Sequence, residues 1–275
     1  MLCLWPLINY KMIIDFHTHA FPDEVAAKAI PSLEEEGKIK AHTRGTIESL
    51  SASMERAGID RSLICSIATN PKQFEPILNW SRQIRCERFI PLPSVHPDDP
   101  RGAERIYTIH KEGFAGIKMH PFYQDYFLND TKLTPLYQAL SDTGLMLVVH
   151  CGYDIAFPRT RRVDPAAILT LQNRFPDLRL ISTHFGGWDI WDEVEEILIG
   201  RNIYMEISFA LHYLKKEQVV RMLNNHPPEY LLFGSDSPWV DQKECIDQLK
   251  GLGLNNTLLS GILGENANRL LQAEI

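Results

Sequence analysis

The feature that most constrains this chain is an alternation of short, β-rich apolar runs with longer amphipathic stretches. The runs are Met12 to His19, Ser62 to Ala68, Phe89 to Val95, Gly113 to His120, Leu145 to Gly152, Leu178 to Gly186, Ile203 to Phe209 and Tyr230 to Asp236. Between them lie helix-like segments, among them Thr46 to Ala57, Thr134 to Thr143, Pro165 to Phe175, Trp191 to Ile199 and Lys215 to Asn225, each long enough to cross between parallel strands. Ala57-Gly58, Asp142-Thr143-Gly144 and Phe175-Pro176-Asp177 punctuate helix ends shortly before the next run. Eight such units close a barrel, whereas an open doubly wound sheet has fewer strands and often a glycine-rich phosphate turn after the first, which this sequence lacks. The expected fold is α/β, a single-domain (β/α)8 TIM barrel over residues 12–275, in a chain whose 275 residues suit that architecture.

Residues 1–11 read as an N-terminal extension. Its apolar stretch from Leu2 to Ile8 is broken by Pro6 and is far too short to span a bilayer, and Met12 is an alternative start to Met1. A net charge of -7 argues against a nucleic-acid or membrane partner and favours a small-molecule substrate. The five cysteines, Cys3, Cys65, Cys86, Cys151 and Cys245, are scattered and form no C-x-x-C pair, so neither a disulfide framework nor a thiolate metal site is implied. A cytoplasmic enzyme is the expectation. The oligomeric state stays open, a homo-oligomer included.

Ionisable residues close several of these otherwise apolar runs and require an explanation. They occur in Asp15-Phe16-His17-Thr18-His19, Lys118-Met119-His120, His150-Cys151-Gly152, Thr183-His184 and Ser235-Asp236. In a barrel those ends surround one mouth. Strand alternation puts His17 and His19 on one side, with Phe16 and Thr18 towards the helices, and His150 and Asp236 approach from across the barrel. His17, His19, His150 and Asp236 form a nitrogen and oxygen set suited to zinc or another divalent transition ion. A lone histidine usually has an ordinary structural role; six of the ten histidines at run ends, counting His96 directly after Val95, form a different pattern.

These residues, in this order, resemble the amidohydrolase superfamily: His17-Thr18-His19 after the first strand, His150 after the fifth, His184 with Gly186-Gly187 after the sixth, and Asp236 after the eighth. The likeness runs from about Met12 to Leu271. Ile262-Leu263-Gly264-Glu265-Asn266-Ala267 is similar to the final segment of the amidohydrolase-related branch that holds aminocarboxymuconate-semialdehyde decarboxylase and several lactone hydrolases. The resemblance implies one or two divalent ions, most often zinc, on His17, His19, His150 and Asp236. His184 either binds a second ion or faces the substrate. A carbamylated Lys118 could bridge two ions; its depth favours binding an anion instead, and a single ion is the expectation. His120 shares its parity.

On that reading a divalent ion brings the pKa of water towards about 7. Asp236 accepts the proton and returns it to the leaving group, and His184 steadies the oxyanion. Asp15 is a candidate to hold a histidine tautomer, or else a buried structural aspartate. Arg159, with Arg161 and Arg162, is a candidate clamp for a substrate carboxylate, against the ordinary reading of solvated loop arginines. Glu206 and Ser208 share parity and are candidates to point inward, against the reading of a structural hydrogen-bonding role. The leading expectation is hydrolysis of a C-O or C-N bond of lactone, ester or amide type in a small anionic molecule. The alternative is non-oxidative decarboxylation of an unsaturated or aromatic carboxylate, and the third reading is a non-enzymatic metal-binding barrel.

Overall fold

The computed structural model describes residues 12–272, so the expected extension lies outside the described residues. All eight runs contain a strand: β1 (Ile14–Thr18), β2 (Arg61–Cys65), β3 (Phe89–Leu92), β4 (Gly116–Met119), β5 (Met146–Val149), β6 (Leu180–Ser182), β7 (Tyr204–Glu206) and β8 (Leu231–Leu232). The strands end earlier than the apolar runs, so His19, His120, His150, His184 and Asp236 lie just beyond the ladder, whereas His17 and Lys118 lie within β1 and β4.

Parallel ladders join β1-β2-β3 and β4 through β8 in order. Two sets of hydrogen bonds close the seams. Lys118 N–H donates to the Pro93 carbonyl at 2.9 Å beyond β3, and Ser94 Oγ donates to the Lys118 carbonyl at 2.8 Å. Phe16 N–H donates to the Phe233 carbonyl and Asp236 N–H to the His17 carbonyl, each at 2.8 Å. Thr18 forms a parallel bridge with Ser237. The molecule is a closed TIM barrel.

Local chemistry explains the outer helices. The helix Ile47–Ala57 begins where Thr46 and Ser49 form a reciprocal capping box and ends at Gly58, whose φ of 70° suits a residue without Cβ. Asp164 caps the helix Pro165–Arg174 through Ala167 N–H. The helix Asp23–Gly37 carries Pro31 within it, which obscures it in the sequence pattern. Among the described residues no helix is long and apolar enough to cross a membrane.

Two apolar cores follow. One joins outward-facing strand residues such as Ile64, Ile117 and Val149 to helix residues such as Leu50, Met54 and Leu140. The other fills the barrel with Phe16, Leu63, Cys65, Val148, Ile181 and Leu232, backed by Ala267 and Leu270. The place of Phe16 corrects the expected alternation. The β1-β2 register shifts between Asp15 and Thr18, and such an irregularity re-aims side chains. Phe16 therefore packs inside, while Asp15 reaches Gln242 in the outer helix Gln242–Lys250.

Candidate metal centre

Beyond β6, β7 and β8 the backbone turns left-handed at residues other than glycine, with φ of 57° at His184, 55° at Phe185, 61° at Phe209 and 63° at Asp236. Such conformations cost on the order of 1–3 kcal/mol each and persist where neighbours hold them. Phe185 N–H donates to the Glu206 carbonyl at 2.7 Å, His184 N–H to Glu206 Oε1 at 2.9 Å, and Asp236 N–H to His17 O at 2.8 Å. The turns bring His184 and Asp236 to the cavity that His17, His19, Lys118, His120 and His150 also line.

Proton bookkeeping tests whether this set suits a cation. His19 Nδ1 lies 2.8 Å from the Cys65 carbonyl, which can only accept, so the neutral ring carries its proton there and Nε2 is a bare lone pair. His17 Nδ1 lies 2.8 Å from Glu206 Oε1, which leaves its Nε2 bare as well. Those two Nε2 atoms face each other at 3.2 Å. Asp236 Oδ1 stands 3.5 Å from the first and 3.1 Å from the second, is buried and has no hydrogen-bond donor. Burial drives the His17 imidazole pKa well down, with nearby Lys118 adding to the effect. Two imidazole nitrogens and a carboxylate oxygen converge with no proton between His19 and Asp236 and with Lys118 Nζ beside His17 Nε2, and a divalent cation fits that arrangement.

The opposite wall is built from His150, His184 and His120. His150 Nε2 sits 2.9 Å from the Tyr153 carbonyl, so its Nδ1 is the free position, 2.9 Å from His184 Nε2. His120 stacks on His150 with ring centroids 4.1 Å apart, and its Nε2 lies 3.3 Å from Asp154 Oδ2. Burial lowers the pKa of all three rings well below that of an ordinary histidine, so they are neutral near pH 7. His17, His184 and Asp236 form one group with mutually close ligand atoms, and His120, His150 and Asp154 form another. Lys118 is fully buried, with Nζ 3.1 Å from His17 Nε2.

Two candidates stand elsewhere. Asp15 accepts from the backbone N–H groups of His17 and Ser235, from Ser235 Oγ at 2.5 Å and from Gln242 Nε2 at 2.7 Å. It ties β1 to β8 and touches no imidazole; the β1 irregularity accounts for this. Arg159 is 60 % exposed, paired with Asp189 and stacked on the Tyr153 ring. Arg161 pairs with Glu193 and Asp164, and Arg162 with Asp125, so the loop arginines serve acidic neighbours at the rim. Lys118 is the lysine or arginine in the cavity lining.

Sequence reading missed Asp154 altogether, because its place depends on how the segment after β5 folds back. Glu206 and Ser208 were visible only as inward parity on β7. The cavity has a volume of about 110 Å³, and its apolar walls include Phe21, Ile67, Tyr123, Trp188, Phe209 and Trp239.

A family model described as amidohydrolase matches residues 14–273. A dihydroorotase from Marinomonas sp. (strain MWYL1) is 23% identical over 229 residues, which cover 70% of this chain and 65% of that protein. The match thus spans just under two thirds of the curated relative's length. An uncharacterised TIM-barrel protein from Bordetella bronchiseptica superposes with a TM-score of 0.78 at 20% identity, covering 94% of this chain and 98% of that one. A 5-carboxyvanillate decarboxylase from Novosphingobium aromaticivorans, solved with bound manganese and 3-methoxy-4-hydroxy-5-nitrobenzoic acid, superposes with a TM-score of 0.68 at 13% identity, covering 94% of this chain and 97% of that one. At these identities the structural likeness is one of fold.

Proposed function

The chain belongs to the amidohydrolase family, and from that premise we propose that it is a metal-dependent enzyme releasing carbon dioxide from a small aromatic or unsaturated carboxylate. Membership of an enzyme family sets aside the non-enzymatic barrel. His17, His19, His150 and Asp236 would hold one divalent transition ion, zinc or manganese by the chemistry of the donor set. When bound, such an ion would supply positive charge to offset the substrate's carboxylate.

The observation that carries this reading is the cavity itself. A mostly aromatic and aliphatic space of about 110 Å³ is on the scale of a single ring, and Lys118 is the basic side chain that faces it among the described residues. Charge inside apolar walls is costly. Decarboxylation removes that charge from the organic fragment, since carbon dioxide leaves neutral. Hydrolysis would leave a new carboxylate in the same slot. Decarboxylation therefore stands ahead of hydrolysis, the reverse of the order expected from the residues alone.

The net reaction takes up one proton, which replaces carbon dioxide on the carbon that carried it. Asp236 is placed to carry that proton, because Oδ1 faces the site and has no other donor. His184, neutral and buried, faces the substrate's polar edge. Lys118 neutralises an anionic substituent. Trp188 and Phe209 wall the ring and exclude water.

Hydrolysis of a cyclic amide or lactone is the second reading, favoured by the likeness to a dihydroorotase. The metal-loaded protein, offered hydroxybenzoates and small lactones in 18O-labelled water, separates them. Carbon dioxide appearing without label in the organic product supports the decarboxylase. A labelled new carboxylate with no carbon dioxide overturns it.

A further inference from the structure

Glu206 lies within neither proposed ligand set, yet it is fully buried and touches both walls of the site. Its Oε1 accepts from His17 Nδ1 at 2.8 Å, from His184 N–H at 2.9 Å and from Ser208 Oγ at 2.9 Å, and its Oε2 accepts from Ser208 N–H at 2.7 Å. Ser208 Oγ in turn stands 3.0 Å from His184 Nδ1. The space Glu206 fills is reserved by Gly234, where a Cβ would collide with Oε2.

We infer that Glu206 is the positioning residue that sets the tautomers of both His17 and His184. The first arm is direct. A carboxylate accepts and does not donate, so the His17 proton stays on Nδ1 and Nε2 is left bare. The second arm runs through Ser208. A serine hydroxyl has one proton, and the anionic Glu206 oxygen is a stronger acceptor than an imidazole nitrogen. Ser208 therefore donates to Glu206 and receives the His184 Nδ1 proton, which leaves His184 Nε2 bare, facing His150. One carboxylate on β7 thus turns two nitrogens, on opposite walls, towards the same space.

Exchange of that carboxylate for an amide tests both arms at once. In Glu206→Gln the amide nitrogen can donate to Ser208, whose proton then turns to His184 Nδ1 and drives the His184 proton to Nε2. Ser208→Ala breaks the second arm only.

This inference deepens the proposed metal site, and the experiment separates the two. Two-bond 15N-1H correlation spectra of metal-free protein report the tautomers of His17 and His184 without any ion present. Wild type should show Nδ1–H on both. Ser208→Ala should change His184 alone, and Glu206→Gln should change His184 at least. Titration with zinc and with manganese should then show affinity about 10- to 100-fold weaker in Glu206→Gln and within about twofold of wild type in Ser208→Ala. Glu206→Asp, which keeps the charge on a shorter arm, should recover the wild-type tautomers in part. Should Glu206→Gln prove unfolded by circular dichroism, Ser208→Ala and Glu206→Asp still decide the case. Nε2–H on either ring in wild type, or unchanged His184 spectra in folded variants, overturns the inference. A wild type with the stated tautomers that binds neither metal overturns the metal site and leaves the tautomer assignment standing.

Discussion

The mouth of the barrel and its rim handle charge in opposite ways. Inside, His17 Nε2, His19 Nε2 and Asp236 Oδ1 stand within 3.5 Å of one another with no donor between His19 and Asp236. At the rim, Arg159, Arg161 and Arg162 each meet an acidic partner. The rim is satisfied and exposed, so it contributes little to stability. The interior is buried and unsatisfied, which folding tolerates only where something else supplies the missing charge. On the proposed reading the unsatisfied cluster carries the chemistry, and the conspicuous arginines do not.

The sharpest way to break that contrast is Asp236→Ala. Turnover should fall by more than the roughly 100-fold typical of losing an outer partner of a ligand, and bound metal should drop with it. Stability should move the other way. Removing a buried acceptor that lacks a donor leaves the metal-free melting temperature equal to or above wild type, a trade seen where function strains a fold. Metal analysis and a thermal melt of the same preparation check both. A large loss of metal-free stability would mean that Asp236 belongs to the satisfied class after all.

Acidification probes the interior as a whole. Burial lowers the folded pKa of His17, His120, His150 and His184. Their contribution to stability is complete above the unfolded value of about 6.5 and is lost as pH falls towards the depressed folded values. Two carboxyls oppose this. Asp15 is pushed up from 3.8 to about 6 by burial, so its contribution is complete below 3.8 and fades as pH rises through about 6. Burial raises Glu206 as well. Near pH 5 four imidazoles act against two carboxyls, so stability should fall as the medium is acidified from pH 7 to 5. Urea unfolding of metal-free protein at pH 7, 6 and 5 measures it. A flat profile would show that the rings are not held neutral by the fold.

Gly234→Ala gives a smaller effect at the boundary between the two regimes. The added methyl would meet Glu206 Oε2 and the His17 side chain, and overpacking of this kind costs about 1–3 kcal/mol. Metal affinity should fall with stability, because Glu206 must shift to make room. Loss of stability with affinity intact would separate Glu206 from the site.

How much of this was legible before the fold was known depends on the range of each interaction. His17, His19, His150, His184 and Asp236 could be assembled from sequence because each ends a periodic run, and a closed barrel brings the run ends together. The depth of Lys118 was legible for the same reason. Asp15 left two readings open, a tautomer-holding partner or a buried structural aspartate, because a one-residue irregularity in β1 decides where its side chain goes and no pattern announces that. Asp154 and the partners of the loop arginines were invisible because they depend on loop paths without periodicity. Glu206 showed only its parity. Its role comes from three hydrogen bonds to residues some twenty to two hundred positions away or just two along the chain.

The smallest expected effect lies at the rim and decides whether the arginines were rightly removed from the site. Arg161 holds Glu193 through two hydrogen bonds, at 2.8 and 2.5 Å, with both side chains more than 40 % exposed. In water such a pair gains little, since solvent screens the attraction and two long side chains lose freedom; a double-mutant cycle of Arg161→Ala and Glu193→Ala should give less than about 1 kcal/mol. Arg159→Ala should leave kcat/KM within about twofold, because its guanidinium lies over Tyr153 and pairs with Asp189 rather than lining the cavity. A rise in KM of tenfold or more for the anionic substrate in Arg159→Ala, with kcat kept, would show that the segment after β5 closes over the mouth during turnover and that rim charge reaches the reacting molecule.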